Sequence, residues 1–158
     1  YFIYVFNIRF LIFGTIMRLL KFFLYWIPVI IYLIIIFFLS SRPAPEVIKQ
    51  APVFFSIKPV HLIEYGFMCL LFVFALFKTY LEWHNVGHDR DRTLQDIPWR
   101  PILLLAISLT IFAGIADEVH QSFVPSRTGT FIDVITDTIA AVTTAGVVFI
   151  AAQNKSNK

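Results

Sequence analysis

Apolar residues form four long stretches along the chain, and polar residues are largely confined to the segments between them. Each stretch is close to the roughly twenty residues that a helix needs to cross a hydrocarbon core about 30 Å thick. No regular alternation of apolar and polar positions is present, which disfavours a membrane β-barrel. The pattern therefore predicts an all-α fold, a polytopic membrane protein with a bundle of four transmembrane helices. The predicted spans are residues 22–39, 60–81, 102–123 and 131–152.

The two longest segments between the spans have the composition of loops. Residues 40–59 contain four prolines, which interrupt helices. Residues 82–101 are rich in charge and end in Trp99-Arg100-Pro101. Trp is favoured at membrane interfaces and Pro in the first turn of a helix, so this motif predicts an anchor that leads into the third span.

The first sixteen residues differ from the four spans, because they place an Asn and an Arg within an otherwise apolar stretch. We predict that residues 1–16 are an N-terminal extension or an interfacial helix, and that they do not form a fifth span. Residues 17–152 are then the four-helix membrane domain, and residues 153–158 a cytoplasmic tail. A cleaved signal peptide over residues 17–41 is a less favoured alternative, because its apolar stretch is long for a signal.

Basic residues predict the orientation of the bundle. With the N-terminus in the cytoplasm, nine of the thirteen Lys and Arg residues fall on the cytoplasmic side, and the positive-inside rule then favours both termini in the cytoplasm. The nine are Arg9, Arg18, Lys21, Lys78, Arg90, Arg92, Arg100, Lys155 and Lys158.

Composition excludes several other classes of protein. The chain has 158 residues, of which 58% are hydrophobic and only 15% charged, and its mean hydropathy is +0.77. A soluble domain of this size needs a larger polar shell. The net charge of +3 comes from scattered basic residues, so no nucleic-acid partner is expected. The single cysteine, Cys69, cannot form an intramolecular disulfide and is predicted to pack in the interior.

The third span ends in an unusual group of polar residues. Residues 102–116 rise only about 22 Å as a helix, so the helix must continue through Asp117, Glu118, His120 and Gln121. A charged side chain at the centre of a membrane helix costs about 2.5–3.5 kcal/mol. Asp117, His120 and Gln121 share one helix face, which we expect to point into the bundle, whereas Glu118 is offset by about 100 degrees.

Polar residues of the other spans fall at the same predicted outer end. The second span begins with Lys58, His61 and Tyr65 on one face, while Glu64 and Arg42 are expected at the interface. Intramembrane ionisable residues are functional by default, so we predict one polar site here. The residues predicted to bind a ligand are Lys58, His61, Tyr65, Asp117, Glu118, Gln121, Arg127, Asp133 and Asp137.

Two functions suit this set of side chains. In the first, Lys58 and Arg127 hold an anionic group and the carboxylates accept hydrogen bonds from sugar hydroxyls, which describes a binding protein. In the second, an enzyme acts on a phosphoryl or acyl group at the outer leaflet. Candidate catalytic residues are His61, Asp117, Glu118 and His120.

Further interpretations of these residues are open. The cluster can be a set of structural ion pairs. A metal could be held by His61, Asp117, Glu118, His120 and Asp133, but these come from three spans and no spacing supports a metal site, so neither metal nor cofactor is predicted. His84 and His88 fit a solvated loop better than a metal site. Four short spans without repeats give no evident path for a transporter.

Four motifs in order along the chain resemble the VanZ-like family of small bacterial membrane proteins. They are SSRP after the first span, KPVHLIEYG at the start of the second, ADEVHQSFVPSRTG at the end of the third and DVITD at the start of the fourth. The resemblance covers residues 17–150. It departs from the family at Asp137 and Ala140, where the family usually has Asn followed by Gly. A protonated Asp can donate a hydrogen bond as Asn does.

The resemblance implies a four-helix protein of the bacterial plasma membrane, and the family's namesake is associated with reduced sensitivity to the glycopeptide teicoplanin. The signature positions of the family correspond to eight of the nine predicted binding residues, Asp137 being the exception. The expected partners are membrane lipids and a cell-wall precursor or glycopeptide. The sequence predicts no particular oligomeric state.

Overall fold

The protein is described by a computed structural model over residues 2–42, 59–84 and 97–156. Within these ranges the chain is helical and contains no strand, which confirms the predicted all-α fold. The four helices are α1 (Phe2–Ser40), α2 (Pro59–Trp83), α3 (Trp99–Gln121) and α4 (Phe131–Ser156).

Each helix contains a segment that is long and apolar enough to cross a membrane. The 23 residues of α3 rise about 35 Å, which matches a hydrocarbon core of about 30 Å. The 39 residues of α1 rise about 58 Å and run without interruption from the N-terminal extension into the first span. The membrane-capable segments are Phe13–Ser40, Val60–Trp83, Trp99–Gln121 and Phe131–Lys155.

Helix α1 lies antiparallel to α2 at the side of the bundle formed by α2, α3 and α4. Three contacts follow one another along this pair in opposite sequence directions. They join Lys21 Nζ to Glu82 Oε1 at 2.8 Å, Trp26 Nε1 to Thr79 Oγ1 at 3.3 Å, and the Tyr32 hydroxyl to the Glu64 carbonyl at 3.2 Å. Consecutive helices therefore run in opposite directions. We call the end at which α1 and α3 finish and α2 and α4 begin the site end.

Small residues bring α3 and α4 close together. Ala106, Thr110 and Gly114 form the buried stripe of α3, and Ala141 and Ala145 lie on the buried stripe of α4. Close backbone approach of this kind stabilises membrane helices, because lipid provides no hydrophobic driving force between them. Large apolar side chains such as Phe112, which is 72% exposed, cover the outside, where lipid is their solvent.

The predicted packing role of Cys69 agrees with its surroundings. The thiol is fully buried and donates to the Ala141 carbonyl at 3.5 Å, within the core formed by α2 and α4.

Candidate functional site

The buried stripes of three helices change from apolar to polar at the site end. In α3 the buried residues before Gly114 are apolar except for Thr110, and those after it are Glu118 and Gln121. We call the buried group at this end the polar cluster. Its members are His61 and Tyr65 from α2, Glu118 from α3, and Asp133 and Asp137 from α4.

A histidine and an aspartate form the centre of the polar cluster. His61 Nδ1 lies 3.1 Å from Asp137 Oδ1, and both side chains are almost completely buried. The ring of Tyr65 stacks on that of His61, with centroids 5.9 Å apart and planes inclined by 14°. The carboxylate of Asp137 therefore fixes the orientation of the imidazole and favours the tautomer with its proton on Nδ1.

Glu118 connects the end of α3 to the beginning of α4. Its Oε2 accepts a hydrogen bond of 2.7 Å from the backbone N–H of Thr130, immediately before the first residue of α4. The Thr130 hydroxyl in turn accepts the backbone N–H of Asp133 at 3.2 Å, as an N-cap does. A carboxylate at a helix N-terminus is also stabilised by the helix dipole. The other oxygen, Oε1, is buried and has no hydrogen-bond partner among the described residues.

Three side chains of the polar cluster come close enough to hold a metal ion. One ligand atom from each of His61, Glu118 and Asp133 lies within 4.8 Å of the other two, and all three residues are buried. The three come from three different helices. For that reason no local spacing in the sequence could predict the group.

Two glycines make this arrangement possible, and neither was predicted as part of the site. A Cβ added to Gly114 would lie 2.9 Å from Asp137 Oδ2 and 3.4 Å from the ring of Tyr65. A Cβ added to Gly129 would overlap the carbonyl oxygen of Glu118. Gly114 therefore allows α3 to approach α4 and Tyr65 of α2 closely. The sequence does contain a signal for it, because Ala106, Thr110 and Gly114 recur at intervals of four residues.

A series of side-chain hydrogen bonds connects Asp117, beside the polar cluster, to the end of α1. Asp117 Oδ2 accepts the Gln121 amide at 2.8 Å, and Gln121 Oε1 accepts Arg127 Nη1 at 3.3 Å. Arg127 also donates from Nε to the Arg42 carbonyl at 2.8 Å and from Nη2 to the Leu39 carbonyl at 3.3 Å. Its guanidinium thus caps the last turn of α1, where a cation is also favoured by the helix dipole. Asp117 is half-buried and lies within electrostatic range of Tyr65.

His120 lies on a different face from the polar cluster. Its Nε2 is 2.9 Å from Ser41 Oγ, and its ring lies on that of Phe37 with centroids 4.3 Å apart. His120 therefore joins α3 to α1. This placement does not bring it together with His61, the other candidate base.

The prediction for the inward face of α3 is wrong in part. Gln121 is buried as expected, but Asp117 and His120 are only half-buried. Glu118, which we expected beside that face, is 6% exposed and belongs to the interior. The physical reason is Gly114, one turn earlier, which brings α4 against the stripe that leads to residue 118.

The remaining candidates are placed less centrally or fall outside the description. Arg42 is exposed, and Glu64 is half-buried within electrostatic range of His61 and Asp117. His84 is exposed and makes an edge contact with Tyr80. Lys58 and His88 lie outside the described residues, so the expected contact of Lys58 with the carboxylates stays a prediction.

Acidic groups outnumber basic ones around the cluster in the described part of the chain. Five carboxylates belong to the polar cluster or lie within electrostatic range of its members, whereas the donors of Arg127 are directed at α1 and Gln121. Such a site attracts hydrogen-bond donors and cations more strongly than anions. The five are Glu64, Asp117, Glu118, Asp133 and Asp137.

Comparison with known proteins identifies the family of the chain. Comparison with curated proteins and comparison with solved structures gave no significant match. The family described as VanZ/LLP1 matches residues 22–152, more than four fifths of the sequence. The match covers the second and third membrane-capable segments completely, most of the first and fourth, and every member of the polar cluster. The protein therefore belongs to the VanZ/LLP1 family of membrane proteins.

Proposed function

We propose that this protein binds the polar headgroup of a cell-envelope lipid, or of a lipid-linked cell-wall precursor, at the site end of the bundle. The distribution of basic residues supports placing that end in the outer leaflet of a bacterial plasma membrane. The observation that carries the proposal is a hydrogen bond from Tyr32, in the wall of an apolar groove, to the backbone of Glu64, a residue within electrostatic range of the polar cluster.

The groove lies on the lipid-facing side of α1 and α2 and has a volume of about 310 Å³. Tyr32 is part of its wall, and the Tyr32 hydroxyl donates to the backbone carbonyl of Glu64 at 3.2 Å. Glu64 in turn lies within electrostatic range of the polar cluster. A lipid carries a polar head on an apolar tail, and an apolar groove whose wall is hydrogen-bonded to a residue near the polar cluster offers surfaces for both parts. The groove is lined by Pro28, Ile31, Tyr32, Ile35, Phe67 and Leu71.

The chemistry of the headgroup follows from the half-buried residues at the edge of the cluster. Asp117 and Glu64 offer carboxylate oxygens, which accept hydrogen bonds from sugar hydroxyls or from an amine. A phosphate clamp built on Arg127 has less support, because that guanidinium already donates to three acceptors. We therefore propose a headgroup with hydrogen-bond donors, such as a sugar.

Native mass spectrometry of the purified protein with its bound lipids tests this proposal. We expect a lipid that survives purification, and we expect Ile35→Trp, which fills the groove, to release it. Ile34→Trp is the matched control, because Ile34 is equally exposed to lipid but does not line the groove. Asp117→Asn should change which headgroups are retained.

Two results would contradict lipid binding in the groove. If Ile34→Trp and Ile35→Trp retain the same lipids in the same amounts, the groove has no specific occupant. If a soluble glycopeptide binds and Ile35→Trp does not weaken it, the ligand is held by polar residues alone, as the glycopeptide alternative predicts.

An enzyme is the second candidate, favoured by the hydrogen bond between His61 and Asp137. A carboxylate that orients an imidazole is the arrangement that general bases use in hydrolysis. Incubation of the purified protein with an envelope lipid extract, followed by mass spectrometry, should then reveal released phosphoryl or acyl groups. Catalysis predicts that His61→Ala abolishes release while the protein stays folded. A binding protein predicts no release and graded losses of binding.

A further inference from the structure

We infer that His61, Glu118 and Asp133 form a binding site for a divalent first-row transition metal ion, such as Zn²⁺ or Mn²⁺. The ligand atoms of these three buried residues lie within 4.8 Å of one another. The inference does not depend on lipid binding, because it concerns the buried interior of the polar cluster and can be tested with the metal alone.

The donor set indicates the class of ion. One imidazole nitrogen with two carboxylate oxygens is a mixed shell that suits Zn²⁺, Mn²⁺ and Fe²⁺, whereas Ca²⁺ and Mg²⁺ favour oxygen ligands throughout. A tetrahedral ion with bonds of about 2.0–2.1 Å holds its ligand atoms about 3.3 Å apart. Because the ligand atoms lie within 4.8 Å of one another, each separation needs to shorten by at most about 1.5 Å, which rotation about side-chain bonds can provide.

An unsatisfied buried oxygen independently points to a ligand at this place. Glu118 Oε1 is buried and has no hydrogen-bond partner among the described residues, although Oε2 of the same carboxylate is held by Thr130. A buried acceptor without a partner is costly, and a buried unpaired charge is more so. A divalent ion would satisfy the oxygen and offset the negative charges of Glu118 and Asp133.

The surroundings of the three ligands resemble the outer shell of a metal site. A ligating histidine normally donates its other N–H to a carboxylate, and His61 Nδ1 is paired in this way with Asp137 at 3.1 Å. His61 would therefore coordinate through Nε2. Glu118 is likewise held in place by the Thr130 backbone, so two of the three ligands are oriented by residues that do not touch the ion.

Metal titration of the full-length protein in detergent tests the inference. After treatment with a chelator, the wild-type protein is loaded with Zn²⁺ and separated by gel filtration, and elemental analysis should find about one Zn²⁺ per chain. His61→Ala, Glu118→Gln and Asp133→Asn should each weaken binding by more than about a hundredfold. The positioning residue Asp137 should matter less, with Asp137→Asn weakening binding about 10- to 100-fold.

Matched variants separate ligands from other residues. His120→Ala removes a histidine at the same end that contacts Ser41 and Phe37, and Glu82→Gln removes a carboxylate at the opposite end; both should bind Zn²⁺ as the wild type does. Co²⁺ provides a spectroscopic test. Asp137→Asn at saturating Co²⁺ should keep the wild-type visible spectrum, because its ligands are unchanged, whereas His61→Ala should alter it.

Several results would overturn the inference. The first is a wild-type protein that stays metal-free in the presence of Zn²⁺, a measurement that needs no variant to fold. The second is unchanged Zn²⁺ affinity in Glu118→Gln and Asp133→Asn. Tight binding of Ca²⁺ without binding of Zn²⁺ or Mn²⁺ would refute the assigned class of ion. Loss of lipid binding with intact metal binding would contradict only the proposed function.

Discussion

Glu118 shows how a single side chain can join folding to chemistry in this bundle. Its Oε2 accepts the N–H of Thr130 and so contributes to the start of α4, while the carboxylate also lies beside His61 and Asp133. Replacement by Gln keeps an oxygen for Thr130 but removes the charge. Effects of Glu118→Gln on ligand or metal binding can therefore be separated from effects on the start of α4.

Gly114 provides a direct test of the close approach between α3 and α4. Gly114→Ala places a methyl group 2.9 Å from Asp137 Oδ2 and 3.4 Å from the Tyr65 ring, so the Asp137 carboxylate, which pairs with His61, must shift. We expect a loss of about 1–3 kcal/mol in unfolding free energy, as for other overpacked cores, and weaker Zn²⁺ binding. Thermal unfolding in detergent and metal titration measure the two effects.

Gly146→Ala is the matched control for that substitution, because a Cβ at Gly146 meets no atom within 4 Å. Ala has the higher helix propensity by about 0.8–1.0 kcal/mol, so this control should be neutral or stabilising. Equal behaviour of the two variants would mean that α3 and α4 are not closely packed at Gly114.

Substitution of Ser126 tests the conformation of the turn that leads from α3 to Arg127. It has φ of 66°, in the left-handed region, and the backbone N–H of Arg127 donates to the Val124 carbonyl at 3.1 Å. With Pro125 at the second position, this is the pattern of a type II turn, which favours Gly where Ser126 lies. Ser126→Gly should raise the melting temperature, corresponding to up to about 1 kcal/mol.

Ser122→Gly is the comparison for the turn. Ser122 has right-handed helical geometry with φ of −63°, and its hydroxyl donates to the Val119 carbonyl. There, Gly has no conformational advantage, so thermal unfolding should show destabilisation. If Ser126→Gly destabilises the protein as much as Ser122→Gly does, the left-handed turn is not present in the folded protein.

At the scale of helices, the sequence predicted the membrane-capable segments well. It predicted less well which face of each helix points into the bundle. Long apolar stretches determine the number of spans, and all four were confirmed. The position of Glu118 relative to Asp117 is also fixed by helical geometry. Which of the two points inward depends on where α4 approaches, and that is decided by Gly114.

Substitution of Arg127 tests whether a loop side chain stabilises the C-terminal end of α1. Its guanidinium donates to the carbonyls of Leu39 and Arg42 and to Gln121, a geometry that a single ammonium group cannot reproduce. Arg127→Lys keeps the charge, but we expect a lower melting temperature, corresponding to about 1–3 kcal/mol. In hydrogen exchange, the backbone amides of residues 37–42 should exchange faster than in the wild-type protein.

Arg42→Lys is the control, because the Arg42 side chain is exposed and only its backbone carbonyl accepts the bond from Arg127. This change should leave both stability and exchange near wild-type values. Should Arg127→Lys be equally silent while it abolishes ligand binding, Arg127 would be an anion-binding residue, as the sequence first suggested, and would not act as a helix cap.

At the scale of the whole molecule, the candidate site forms where four helix ends meet. The sequence predicted that polar residues of α2, α3 and α4 share one end, and His61, Tyr65, Glu118, Asp133 and Asp137 do meet there. The sequence named His61, Glu118 and Asp133 among five possible metal ligands, but it could not predict that these three come together while Asp117 and His120 stay apart from them. Those residues are brought together by the packing of three helices, and the contacts of His61 with α4 are not encoded in any short motif.

The sequence also predicts the orientation of the bundle in the membrane, and a labelling experiment can test this prediction directly. The distribution of Lys and Arg predicts that the site end lies outside the cell and that both termini lie inside. The native cysteine is fully buried, so the wild-type protein should react little with a membrane-impermeant maleimide. Single cysteines introduced at exposed positions can therefore report each side.

Phe123→Cys and Asn154→Cys form the pair for this experiment. Phe123 is 81% exposed just after α3, at the site end, and Asn154 is exposed near the other end of α4. In intact cells, the maleimide should label Phe123→Cys, whereas Asn154→Cys should be labelled only after permeabilisation. The reverse pattern would place the polar cluster at the cytoplasmic face. Binding of an outer-leaflet lipid would then be excluded, while metal binding by His61, Glu118 and Asp133 would not be affected.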